Sequence, residues 1–175
     1  MIQQLVFPPR IRIDFLLGTD WQSSLIAWFG QGPGGWSHVA SVLQDGRYLD
    51  ARNDVLGGVP GGIHIREPAT EKWRKKLRCT LKVTQGEYED WEANLRAKIG
   101  DAYARGDIVG MVIDRMLHKS GTYDCSALAI NALQHIKRVP FPLPIPAHSI
   151  TPNAALLIVA TAGFEIGEIQ TAAAA

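Results

Sequence analysis

Cys125, His38 and Asp50 are the residues whose types and settings best fit covalent chemistry. Cys125 lies in TYDCSALAINAL, where Asp124 or Thr122 can cap a helix that begins at or next to the cysteine. A thiol at that position feels the unsatisfied N–H groups of the first turn. Their field favours the thiolate, the nucleophilic form, and the same groups can stabilise an oxyanion formed on attack at a carbonyl. The competing reading is structural. Cys125, Ala129, Ala132 and Ile136 fall on one helical stripe, and a free cysteine is commonly a small buried hydrophobe.

A cysteine nucleophile needs a base, and the chain has five histidines. His38 sits in a predicted strand directly after glycine-rich sequence and Ser37, a rigid element from which an imidazole can be aimed at a helix terminus. His135 shares the Cys125 helix, but ten residues at 1.5 Å each put it about 15 Å along the axis. His64, His118 and His148 read as solvated: an edge-like strand, a helix end and the exit of a proline-rich loop.

Turn length decides whether Asp50 can orient His38, because it sets which side chains share a face of the hairpin. With Asp45-Gly46 as a two-residue turn, Asp50 stands opposite Ser41 and on the other face from His38. With Gln44-Asp45-Gly46 as a three-residue loop and Gly46 left-handed, Ala40 pairs with Asp50, and His38 becomes its diagonal neighbour. Asp50 can then hold one ring nitrogen and leave the other for Cys125. Taken alone, Asp50 also reads as a solvated strand-end carboxylate.

The segment SHVASVLQDGRYLDAR resembles the histidine hairpin of NlpC-type papain-like cell-wall peptidases, and YDCSALAINAL resembles their nucleophile helix. Here the hairpin precedes the helix, the order of the circularly permuted branch that includes YiiX-like proteins and lecithin retinol acyltransferase relatives. The family pattern places a polar residue twelve positions after the histidine, which is Asp50 and favours the three-residue loop. IGDAYARGDIVG is similar to the family segment that supplies a tyrosine, which makes Tyr103 a candidate oxyanion or pocket contact. Ser126 and Ser37, beside the cysteine and the histidine, are the other such candidates. The resemblance spans roughly Gly35 to Ile136. Two positions depart from the pattern: Ala127 stands where glycine usually follows Cys-Ser, and the third residue is aspartate where histidine is frequent.

The resemblance implies a papain-like fold and a cysteine hydrolase of amide bonds, with peptide crosslinks of bacterial cell walls as substrate, and neither a cofactor nor a metal. Acyl chemistry, as a thioesterase or acyltransferase, is the alternative, with the apolar loop Val139 to Ile145 lining an acyl site. A third reading is a silent binding or phage-tail assembly module in which Trp21, Trp28 and Trp36 form a contact surface.

The elements that must position these residues follow from pattern. Arg10 to Gly18 reads as a first strand, Thr19 to Phe29 as a short helix, and Trp36 to Leu43 with Arg47 to Arg52 as a hairpin. IHIREP and the alternating Leu77 to Thr84 add strands. Helices are expected over Glu87 to Ile99, Ile108 to Leu117, Cys125 to Ile136 and Asn153 to Ala162, the last with Thr151 and Pro152 at its start. The run PFPLPIP forbids regular structure, and residues 170–175 read as a frayed tail. The order predicts one α+β domain over residues 1–175, an antiparallel sheet packed against helices.

Composition narrows the function classes. Eighteen Lys and Arg against 17 Asp and Glu leave a charge of +1, without the basic excess that nucleic-acid binding demands. With 46% hydrophobic residues the chain can bury a core. Two cysteines make no disulfide framework, and no paired metal-ligand spacing is present. With no 18-residue apolar run and no signal-peptide pattern, the expectation is a protein cytoplasmic as synthesised, without an integral membrane segment. Reaching a cell wall would then take phage lysis or a secretion system. Oligomeric state is not legible.

Overall fold

The computed structural model describes residues 8–19, 24, 35–52, 55–102, 124–140 and 150–172. Among them are six strands, β1 (Arg10–Gly18), β2 (His38–Val42), β3 (Tyr48–Arg52), β4 (Gly62–Arg66), β5 (Trp73–Lys82) and β6 (Glu165–Thr171). Three α-helices accompany them: α1 (Gln85–Arg96), α2 (Cys125–His135) and α3 (Pro152–Thr161). The strands form one sheet in the order β4-β3-β2-β1-β5-β6, with every neighbouring pair antiparallel. The class is α+β, as the sequence predicts. No helix among the described residues is long and apolar enough to cross a membrane.

Alternation in β1 sends Ile11, Ile13 and Phe15, all fully buried, into the main core. There they join Val39, Leu49, Ala51 and Ile63 from β2 to β4, Trp91 and Leu95 of α1, Leu128 and Leu133 of α2, and Val159 of α3. Each fully buried Val, Leu, Ile or Phe among them contributes roughly 1.5–3 kcal/mol. The central position of β1 also buries Asp14, one residue out of phase with that apolar set. Its carboxylate is satisfied by Tyr48 Oη at 2.7 Å and by Arg78 through Nε at 2.7 Å and Nη2 at 2.8 Å. This polar group ties β1 to β3 and β5 instead of breaking the core.

The helix signals act as their chemistry requires. Thr84 and Glu87 form a reciprocal capping box on α1, which begins two residues before the expected start. Thr151 caps α3 with Pro152 in its first turn. β5 starts at Trp73, four residues ahead of the expected Leu77, because pairing with β1 carries the charged run WRKK into the sheet. β6 was not visible as a strand in the sequence. Its residues are all exposed, so no buried face imprints an alternation. Gln170 and Thr171, expected in the frayed tail, pair instead with Lys76 and Lys75. The expected helix at Ile108 to Leu117, nearly all of the one at Thr19 to Phe29, and most of the PFPLPIP loop lie outside the described residues.

Candidate active site

The β2–β3 connection is the three-residue loop. Leu43 N–H donates to Arg47 O at 2.9 Å, Gly46 N–H donates to Leu43 O at 3.0 Å, and Gly46 has φ +90°. That conformation costs an L-residue roughly 1–2 kcal/mol and glycine little. The resulting register pairs Ser41 with Leu49 and Val42 with Tyr48, and its continuation sets Ala40 against Asp50. His38 is then the diagonal same-face neighbour of Asp50. The contact is made: His38 Nε2 lies 2.8 Å from Asp50 Oδ2.

The entry to β2 is clamped just before His38. Ser37 N–H donates to Leu16 O at 2.9 Å, while its hydroxyl donates to Leu16 O at 3.2 Å and accepts from Gly18 N–H at 3.0 Å. Ser37, a candidate oxyanion or pocket contact, thus has its hydroxyl engaged in stitching β2 to β1. One residue earlier, Trp36 N–H donates to Asn153 Oδ1 at 2.9 Å, and this anchors the same segment to the start of α3. Trp36 itself is buried edge-on against Phe15 and offers no contact surface. Trp21 and Trp28 lie outside the described residues.

Cys125 is the first residue of α2. Asp124 is the N-cap, and its Oδ1 accepts from Ala127 N–H at 2.6 Å. The α2 helix packs against β2 and β3, the strands that carry His38 and Asp50, and the charge of Cys125 acts on the His38 ring. With Nε2 facing Asp50, Nδ1 is the ring nitrogen left for the thiol. Ser126 is buried beside it, its Oγ 4.0 Å from Cys125 Sγ. Tyr103 lies outside the described residues.

Charges settle how these groups are held. Burial pulls the His38 pKa down, but the charge of Cys125, the hydrogen bonds to Asp50 and Cys125, and the charge of Asp50 together push it up to about 10. Burial works against the Asp50 carboxylate as well. The hydrogen bond from His38 and the positive charges of His38, Arg66 and Arg52 outweigh it and hold Asp50 below the usual carboxylate range.

The sequence reading missed the support behind Asp50. Arg66 on β4 has a side chain 1% exposed and donates to Asp50 Oδ1. It reaches Asp50 O at 3.3 Å, Pro60 O at 2.9 Å and Gly62 O at 3.3 Å as well. Glu71, which follows a 3-10 turn at Pro68–Thr70, also belongs here. It is ion-paired with Arg52, and one donor atom each from Glu71, Asp50 and His38 lie within 4.8 Å of one another. No local pattern marks Arg66 or Glu71, since both meet Asp50 only through strand pairing and chain return. His64 pairs with Asp50 in register and stays half-buried.

A thiol at a helix N-terminus, an imidazole against it and a buttressed carboxylate behind the ring can together perform proton-coupled nucleophilic attack. No family model, curated protein or solved structure matches this chain, so the chemistry of the site rests on its own geometry.

Proposed function

We propose that the chain is a cysteine hydrolase of amide bonds with Cys125 as nucleophile, His38 as general base and acid, and Asp50 as the orienting carboxylate. The observation that carries this reading is the His38 ring, held by Asp50 at 2.8 Å, with Cys125 opening the helix that packs against β2 and β3. The segment order, hairpin before nucleophile helix, and the antiparallel sheet with helices are compatible with a permuted papain-like fold.

In the reaction, His38 takes the Sγ proton and Sγ bonds to the carbonyl carbon. The N–H groups opening α2 face the developing oxyanion, a contribution of about 10²–10³ in rate for a single donor. Collapse breaks the C–N bond as His38 returns the proton to the leaving amine. Water, deprotonated by His38, then attacks the thioester. The carboxylic acid leaves and Cys125 recovers its proton.

Peptide crosslinks of bacterial cell walls, or related amides, are the proposed substrates, on the strength of the hairpin and helix resemblance. Turnover of defined muropeptides, abolished by Cys125→Ala, is the expected result. Turnover of acyl esters without muropeptides would replace this reading with lipid chemistry, and function surviving Cys125→Ala would replace it with a binding module.

A further inference from the structure

We infer that His38, Asp50 and Glu71 form a zinc site whose occupation switches off the Cys125–His38 pair. The donor atoms come from β2, β3 and the turn before β5, so no sequence spacing reveals them. They lie within 4.8 Å of one another, on side chains 14%, 0% and 7% exposed. Tetrahedral zinc with bonds of about 2.0–2.1 Å needs donors about 3.4 Å apart. A small outward shift of the 2.8 Å His38–Asp50 pair and an inward shift of Glu71 meet that need.

Imidazole and carboxylates suit zinc, and three protein ligands leave its fourth position for water. Each carboxylate also has an arginine partner, Arg66 on Asp50 and Arg52 on Glu71. Arg66 is fixed by four backbone carbonyls, and its grip on Oδ1 leaves Oδ2 facing His38. It orients the ligand as an outer partner should. Arg52 is the competitor. Its side chain is 18% exposed, so it can turn toward solvent as the ion takes over the Glu71 charge.

Zinc at Nε2 displaces the proton shared with Asp50, and that proton leaves to solvent. The ring then keeps a single proton, on Nδ1, and with zinc on Nε2 it no longer cycles between one and two protons as the acid and base steps require. This consequence rests on the hydrolase reading, whereas the binding site does not.

The test titrates chelator-treated full-length protein with ZnCl2 against a chromophoric chelator, with circular dichroism confirming the fold of each variant. One zinc per chain is expected in the native protein and in Cys125→Ser, with at least tenfold weaker binding in Glu71→Gln and tighter binding in Arg52→Gln. Loss of binding in Cys125→Ser with retention in Glu71→Gln would move the ion to the thiol–imidazole pair and overturn the assignment, as would no binding at all. Should Glu71→Gln fail to fold, Arg52→Gln decides: unchanged or weaker affinity overturns the site. None of these readouts requires turnover, so a failed hydrolase reading leaves them intact. The switch itself is read as muropeptide turnover lost with zinc and restored by EDTA. Turnover indifferent to bound zinc would overturn the switch.

Discussion

Arg66 grips Asp50 from behind: Nη1 donates to Oδ1 and reaches the Asp50 carbonyl at 3.3 Å, while Oδ2 is left to His38 at 2.8 Å. Both side chains are essentially inaccessible to water, so neither charge tolerates loss of the other. Arg66→Met is therefore expected to cost roughly 3–5 kcal/mol, the range for breaking a buried pair. Arg66→Lys keeps the charge but not the fork and should cost less. Urea unfolding midpoints measure both, and an Arg66→Met midpoint within error of the native protein would contradict the pairing.

Asp50→Asn keeps the shape but removes the acceptor that fixes the His38 tautomer. In a related triad such a change lowers turnover by about 10⁴. A fall in kcat of about 10²–10⁴ with KM little changed is expected here. Equal loss in KM alone would assign Asp50 to substrate binding.

The His38 ring should titrate near pH 10, and Cys125→Ser, which removes a negative partner, should lower that value. Nitrogen-15 NMR of the ring reads both. Because the folded pKa is raised above the ordinary histidine value of 6.5, the stability contributed by protonated His38 is fully present below about pH 6.5 and lost as pH rises through about 10. Unfolding midpoints of the native protein and His38→Gln should converge over that window.

Gly46 at φ +90° makes the hairpin loop sensitive to a side chain even though a Cβ there meets nothing within 4 Å. Gly46→Ala should cost about 1 kcal/mol through backbone conformation alone. Thermal unfolding checks it, and an unchanged Tm would contradict the left-handed assignment.

Much of this arrangement was legible from local signals, and the exceptions are physical. Turn chemistry at Asp45-Gly46 left a two-residue and a three-residue loop open, and the twelve-residue interval that the family resemblance supplied favoured the second, which the structure has. Asp124 and Thr151 marked helix starts as side-chain acceptors of first-turn N–H groups, whereas the Thr84 cap went unread because Thr84 also ends an alternating strand pattern. Arg66 and Glu71 were invisible, since a buried arginine on IHIREP reads like a solvated one until β4 pairs with β3. Ser37 looked like a free hydroxyl beside the histidine, and only the β1–β2 pairing shows what it binds. β6 left no pattern because neither of its faces is covered.

The most direct test of the account is the alkylation rate of Cys125 followed by peptide mass spectrometry across pH, with Cys79 as internal control. Cys79 is fully buried, and burial together with the nearby Asp14 charge pushes its thiol up to about 12. The account predicts that Cys125 labels readily in the folded protein at neutral pH, that Cys79 stays silent, and that His38→Ala slows Cys125 labelling. A Cys125 that labels only as an ordinary thiol, unaffected by loss of His38, would contradict the nucleophile assignment.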